Sequence, residues 1–293
     1  MISNDNNKSI MSIVSLALVA LAWGTSYAII KDTLSHTTPF VLMTIRFGLS
    51  TLLLSIIYYR KLIRIKRVDL INGVKIGIFM FGAFITLVTG IKYTTASKQS
   101  FIVGSYVLIV PFLTWLINKN KPDKYDVIGV ICAVIGLFLL TAGSVTGINI
   151  GDIISMGCAL SFALHMIMIE KYCHDSDPII LTIVQFATTS ILFILLVIMF
   201  EKPDFSVIST ATSEILYLVI VATVIAFVVQ NIAQRHISSI TTSLILTLES
   251  VFGSVFAIFY LDEKVSVNMV IGCAIILIGI VMHETKDRFI KNN

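Results

Sequence analysis

Residues 177–200 read DPIILTIVQFATTSILFILLVIMF, with no charged side chain between Pro178 and Phe200. At 1.5 Å of rise per residue a helix over this run is about 35 Å long, enough for a hydrocarbon core of about 30 Å. Asp177 followed by Pro178 is a good helix start. The carboxylate can accept free N–H groups, and proline at the first position lacks only an N–H that would go unpaired. A surface helix of a soluble protein keeps a charged face, and this run has none. It is predicted to cross a membrane.

The rest of the chain has the same character. Of 293 residues, 57% are hydrophobic and 13% charged, and the mean hydropathy is +0.95. Soluble domains carry about 25% charged residues and could not bury so much apolar surface, so the solvent for most of the chain is lipid. This composition excludes nucleic-acid binding, secreted disulfide scaffolds and disordered linkers. Cys132, Cys158, Cys173 and Cys273 are scattered through apolar runs, so neither a zinc site nor a disulfide frame is expected, and no cofactor is implied.

Ten apolar stretches can be marked, at 11–30, 39–59, 71–91, 99–118, 125–142, 152–170, 178–200, 214–233, 240–261 and 265–283. Short charged and turn-forming segments join them, and none is long enough for a soluble domain. Lys8 and Ala20-Leu21-Ala22 resemble parts of a signal peptide, but the apolar run continues past Trp23 to Ile30, giving a full span. With the N-terminus inside, the inner segments hold 14 Lys and Arg and the outer ones 5. By the positive-inside rule both termini are expected in the cytoplasm.

An internal repeat is visible. A shift of 139 residues places Thr38-Pro39 on Asp177-Pro178, Ala20-Leu21 on Ala159-Leu160, and Leu42, Phe47 and Leu53 on Leu181, Phe186 and Leu192. A shift of 143 places Val127-Ile128-Gly129 on Val270-Ile271-Gly272 and Gly136 on Gly279. Five spans per repeat is an odd number, so the second copy must be inverted. The charges agree: five basic residues follow span 2, whereas only Lys202, beside Glu201 and Asp204, follows span 7. The expected organisation is a cytoplasmic tail at 1–10, a first five-helix repeat at 11–145, a second at 146–283 and a cytoplasmic tail at 284–293. The fold class is all-α integral membrane, ten transmembrane helices in two inverted five-helix repeats. Such repeats belong to alternating-access carriers with a midplane site between the halves.

Particular residues add a family likeness. Trp23-Gly24 with Lys31, Arg46-Phe47, Tyr93-Thr94-Thr95-Ala96, and Leu248-Glu249-Ser250-Val251-Phe252 running to Leu261-Asp262-Glu263-Lys264 and Gly272 resemble EamA-type members of the drug/metabolite transporter superfamily. The likeness covers nearly the whole chain and is strongest over 240–283. It implies ten helices in two inverted repeats, export or exchange of small metabolites, often amino-acid-like, and a cavity lined mainly by spans 1, 3, 4, 6, 8 and 9. The family pattern usually has proline after the span 9 glutamate. Ser250 stands there instead, which puts the associated kink in question.

Ionisable groups inside spans cost about 2.5–3.5 kcal/mol each at the helix centre on insertion scales, and Arg46 and Glu249 are two such groups. Their expected depths differ by roughly 6 Å. They can therefore form a structural ion pair. Alternatively Glu249 binds a substrate amine or a coupling proton while Arg46 stabilises or gates the site. His165 can couple to protons or serve as a hydrogen-bonded core residue. Gln185 takes the second-repeat position that Arg46 holds in the first. Gln230 and Gln234 share one helix face, suited to an inner vestibule. Trp23, Tyr27, Tyr106 and Phe227 are candidate aromatic walls, or interface anchors. Pro111 predicts a kink in span 4. Gly129, Gly136, Gly272 and Gly279 make spans 5 and 10 a scaffold or a homodimer contact. The basic run Arg60 to Arg67 has two readings, control of topology and attraction of anionic lipid.

No HExxH, GxGD, GxSG or phosphate-binding glycine loop is present, and the five histidines are dispersed, so an enzyme is not expected. The sequence predicts a secondary transporter that moves a small metabolite across the prokaryotic cytoplasmic membrane, in the direction of export. A passive facilitator or exchanger, and a non-transporting sensor, stay open as alternatives. The expected partners are a small-molecule substrate, a coupling proton, the lipid bilayer and, through spans 5 and 10, a second copy.

Overall fold

The computed structural model describes residues 2–94, 96–119, 121–141, 149–202, 204–260 and 266–285. Thr95, Leu261 to Lys264, the boundary between the two repeats at 145/146 and most of the C-terminal tail lie outside the described residues.

The chain runs through α1 (Ile2–Thr33), α2 (Pro39–Ile57), α3 (Arg67–Gly90), α4 (Ala96–Gly104), α5 (Tyr106–Asn118), α6 (Lys124–Thr141), α7 (Ile150–Tyr172) and α8 (Pro178–Phe200). It continues through α9 (Thr212–Leu216), a π-helix (Tyr217–Ile225), α10 (Ala226–Ala233), α11 (Ser239–Leu246), α12 (Leu248–Tyr260) and α13 (Val267–Glu284). Taking α4 with α5, α9 through α10, and α11 with α12 as continuous rods gives ten rods where ten spans were expected, and nine of them, all but α6, are long and apolar enough among the described residues to cross a membrane. The helix of the opening sequence, α8, has the predicted bounds. Asp177 Oδ1 accepts the Ile179 and Ile180 N–H groups at 2.9 and 3.3 Å.

Three predicted spans are internally irregular. Span 4 breaks at Ser105, six residues before the proline expected to kink it, and Pro111 lies inside α5. The Ser105 hydroxyl donates to Ile102 O at 2.6 Å, and its N–H is shared between Phe101 O at 3.1 Å and Ile102 O at 3.2 Å, after which Leu108 N–H bonds Ser105 O three residues back at 3.0 Å. Span 9 breaks at Thr247 although no proline follows Glu249. The Thr247 hydroxyl and N–H bond to Leu244 O instead of continuing the ladder. Span 8 contains two turns or so of π-helix, which composition did not indicate.

Between apolar helices in lipid there is little hydrophobic drive, so close packing through small residues holds the bundle together. A Cβ on Gly136 would lie 2.6 Å from Gly272 O, and one on Gly272 2.7 Å from Gly136 O, while Gly129 and Gly279 meet in the same way. The numbers run in opposite senses, so α6 and α13 cross antiparallel, with their glycine faces turned to each other inside one chain. The pair α2 and α8 is antiparallel too. Thr38 Oγ1 donates to Glu201 at 2.6 Å at one end, and Lys61 meets Asp177 at 2.7 Å at the other. Elsewhere α1 packs on α10 and α12, α7 packs on α3, α4 and α5, and α8 packs on α3. A continuous apolar core results, centred on Trp23, Phe47, Phe84, Phe162, Phe186 and Phe227.

Candidate functional site

Trp23, Ser26, Tyr27 and Ile30 lie at i, i+3, i+4 and i+7 on α1 and present one face to an internal cavity. Gly24 sets the depth of that face. A Cβ there would collide with the backbone of α12 at Glu249 O and Gly253 N, so glycine lets the two backbones touch. Glu249 is thereby brought opposite Tyr27, and it is 2% exposed. Tyr106, from the first turn after the Ser105 break, and Phe84, Leu87, Val103 and Phe162 complete the lining with Arg46.

Arg46 is also 2% exposed. Its Nε donates to Thr223 Oγ1 at 2.5 Å and its Nη2 to Ala222 O at 3.1 Å. The guanidinium lies 4.9 Å from the centre of the Phe84 ring, a desolvated cation–π contact. The π-helix makes these bonds available. The Ala226 N–H bonds to Val221 O and Thr223 O, and the Ala222 carbonyl, its partner in an α-helix, accepts from Arg46 and from Trp23 Nε1 at 2.9 Å. The Thr223 hydroxyl in turn donates to Leu218 O, five residues back, at 2.7 Å.

Arg46 and Glu249 line the same cavity but form no ion pair with each other; of the two readings the sequence left open, the structural pair is not formed, and Arg46 is anchored on the π-helix. Among the described residues Arg46 Nη1 is buried without a hydrogen-bond partner, while Tyr106 OH and Glu249 Oε1, also buried, face each other without forming a well-made hydrogen bond. Leaving such a group unmade costs about 1–3 kcal/mol each, more when charged. The cavity volume is about 30 Å³, room for about two waters.

Five of the nine sequence candidates, Trp23, Tyr27, Arg46, Tyr106 and Glu249, meet at this cavity. The other four do not line it. His165 Nε2 bonds Gln185 Oε1 at 2.9 Å behind Phe162, with His165 Nδ1 and Gln185 Nε2 unpartnered among the described residues. Phe227 packs in the core between Trp23, Phe84 and Phe186, at centroid distances of 5.1 to 6.1 Å. Gln230 is fully buried and donates to Gln234 at 3.2 Å, and Gln234 bonds Met166 O, so this pair ties helices together. Ser26, Phe162 and Thr223 were missed. The i, i+3 spacing from Trp23 marks Ser26, and the shift of 139 places Phe162 on Trp23. Nothing in the sequence marks Thr223, because its role depends on the π-helix.

Comparison with known proteins follows the same lines. The EamA-like transporter family model matches residues 10–142 and again 149–283. The chain belongs to the EamA-like transporter family. An uncharacterized transporter of Archaeoglobus fulgidus is 33% identical over 94% of this chain and 86% of its own length. A probable amino-acid metabolite efflux pump of Salmonella typhimurium is 24% identical over 90% of this chain and 91% of its own. A solved crystal structure superposes with a TM-score of 0.76 at 16% identity, covering 96% of this chain and 98% of that one, a likeness of fold. This EamA-like protein is a multi-pass membrane transporter.

Proposed function

We propose that the protein is a secondary carrier that exports a small zwitterion of the amino-acid class across a prokaryotic cytoplasmic membrane, by alternating access of two inverted five-helix repeats. Both termini lie in the cytoplasm. The observation that carries this reading is one buried cavity that holds an unpartnered guanidinium nitrogen of Arg46 on one side and the Glu249 carboxylate, beside the Tyr106 phenol, on the other. A carboxylate of substrate fits Arg46 Nη1 and an ammonium fits Glu249, with Trp23, Tyr27 and Phe162 enclosing the carbon skeleton. The name of the Salmonella relative agrees with that class. Nothing in this chemistry needs a bond to be broken, and the site works as a binder.

The inverted-repeat reading draws on the packing. Exchanging the first five spans for the second turns the contact of α1 with α12 into that of α7 with α4 and α5. It likewise turns α3 on α7 into α10 on α1, and α3 on α8 into the π-helix on α2. A cavity of about 30 Å³ is too small for an amino acid, so loading requires the halves to part on one side and then the other. With the glycines of α6 and α13 facing each other, a second copy would meet the opposite, lipid-facing sides of those helices.

Uptake and counterflow of labelled amino acids in liposomes, with and without an imposed pH gradient, test this. Accumulation that needs the gradient, and that disappears in Glu249→Gln while the variant keeps its melting temperature, is expected. Flux without gradient dependence would make the protein a facilitator or exchanger. Equal loss of folded protein in Glu249→Gln would return that residue to a structural role.

A further inference from the structure

A second cavity, of about 680 Å³, opens at the end of the molecule where the α2–α3 connection, the α7–α8 connection and the segment after α10 converge. Arg60, Lys61, Arg64, Lys66 and Arg235 line it, against Asp69, Asp175 and Asp177. Two of the three carboxylates are already occupied. Asp69 accepts the Lys66 and Asp177 N–H groups at 3.2 and 3.4 Å, and Asp177 caps α8 and pairs with Lys61. Arg235 is held in place by carbonyls, its Nε on Cys173 O at 2.7 Å and its Nη2 on Ser176 O at 3.4 Å, neither of which is a carboxylate. The Arg64 guanidinium makes no hydrogen bond or ion pair among the described residues. The N-termini of α3 and α8, helices of 24 and 23 residues, both lie at this cavity, and Asp69 and Asp177 are the carboxylates that meet their dipoles.

The rim is apolar. Ile63, within the basic run, is 78% exposed, and Tyr59, Val68, Leu70 and Ile71 beside it are exposed as well. Basic groups in a concave site with bare apolar side chains alongside match a molecule that is anionic at one end and hydrocarbon at the other.

We propose that this pocket holds the phosphate of an anionic phospholipid headgroup, with the acyl chains lying along Ile63 and the exposed start of α3. Control of topology needs only the number of positive charges in the connection. It does not require that positive charges from two separate connections converge on one cavity. Arg64 and Lys66 supply the free cations, and Arg235 supplies a fork fixed in orientation.

The test uses the purified full-length chain in detergent, titrated in separate arms with phosphatidylglycerol, phosphatidylcholine and inorganic phosphate. Retained lipid is read by native mass spectrometry and stability by melting temperature. Phosphatidylglycerol should be retained and raise the melting temperature, while the other two leave both unchanged. Arg64→Gln with Lys66→Gln should weaken retention by roughly thirtyfold. Lys119→Gln with Lys121→Gln, which removes the same charge from another basic connection, should leave it intact. Equal retention in the two double variants would overturn the site. Protection by inorganic phosphate alone would overturn the lipid assignment in favour of a soluble anion. Should the Arg64/Lys66 variant misfold, the charge-keeping pair Arg64→Lys and Lys66→Arg decides: retained lipid supports the pocket, and lost lipid with normal folding overturns it.

Discussion

At the scale of single residues, the site turns on how an arginine is kept in a dry interior. Arg46 has its Nε and Nη2 satisfied by Thr223 and Ala222, which leaves Nη1 as its unpartnered nitrogen toward the cavity. Thr223 is thus a positioning residue. Thr223→Val keeps the shape but strands a buried charged donor, so stability should fall by about 1–3 kcal/mol. If Arg46 grips substrate, the KM should rise in Thr223→Val and return in Thr223→Ser, which restores the hydroxyl. Transport kinetics beside melting curves decide it, since a purely structural role would lower stability with an unchanged KM. The sequence made Arg46 and Glu249 legible because charge inside an apolar span is costly and conspicuous. It could not show that they would avoid each other, because that outcome depends on carbonyl and hydroxyl groups exposed by an irregular helix. His165 and Gln185 were conspicuous for the same reason, and their polar groups turn to each other behind Phe162.

At the scale of elements, apolar run length alone located the helices, and Asp177-Pro178 fixed the start of α8 to the residue. The breaks were less legible. Proline predicted a kink at Pro111, yet the ladder turns irregular just after Ser105, and it opens again at Thr247 with no proline at all. In both places a hydroxyl bonds a carbonyl three residues back, a local competition that hydropathy does not register. These breaks bring Tyr106 and Glu249 to the cavity just after an interrupted turn. Glycine placement makes the same point about approach distance. Gly24→Ala would drive a methyl into the backbone of α12, and should cost about 1–3 kcal/mol and reduce transport together. Gly48→Ala meets only the Ser190 hydroxyl, at 3.4 Å, an ordinary contact, and should be tolerated. Thermal unfolding of the two variants side by side is the measurement, and equal stability would mean that α1 can shift away from α12 at little cost.

At the scale of the whole molecule, helices far apart in sequence are pinned at their ends, and the single sequence gave no sign of those partners. Glu201, after α8, accepts the Thr38 hydroxyl and the Phe40 and Val41 N–H groups at the start of α2, at 2.6, 3.3 and 3.1 Å. Lys61, beyond α2, pairs with Asp177 at the start of α8. The second clamp should leave a signature in pH. Partial burial pushes the Asp177 carboxyl up, but the Lys61 ammonium and the Ile179 and Ile180 N–H groups outweigh it and hold the group below the usual carboxylate range. A group whose folded pKa is depressed adds stability that is complete above its unfolded value, near 3.9, and that is lost as pH falls through the lower folded value. Asp177→Asn isolates the charge, because asparagine caps a helix about as well as aspartate. The side chains of the pair are 43% and 37% exposed, so solvent screening limits the ion pair to about 1 kcal/mol or less. The stability gap between wild type and Asp177→Asn in detergent should therefore be small and flat from about pH 7 to pH 5, and should close below about pH 4. High salt should narrow it over the whole range. A gap that persists at the acid end would place the contribution of Asp177 in packing and capping, and would remove the charge from the clamp between α2 and α8.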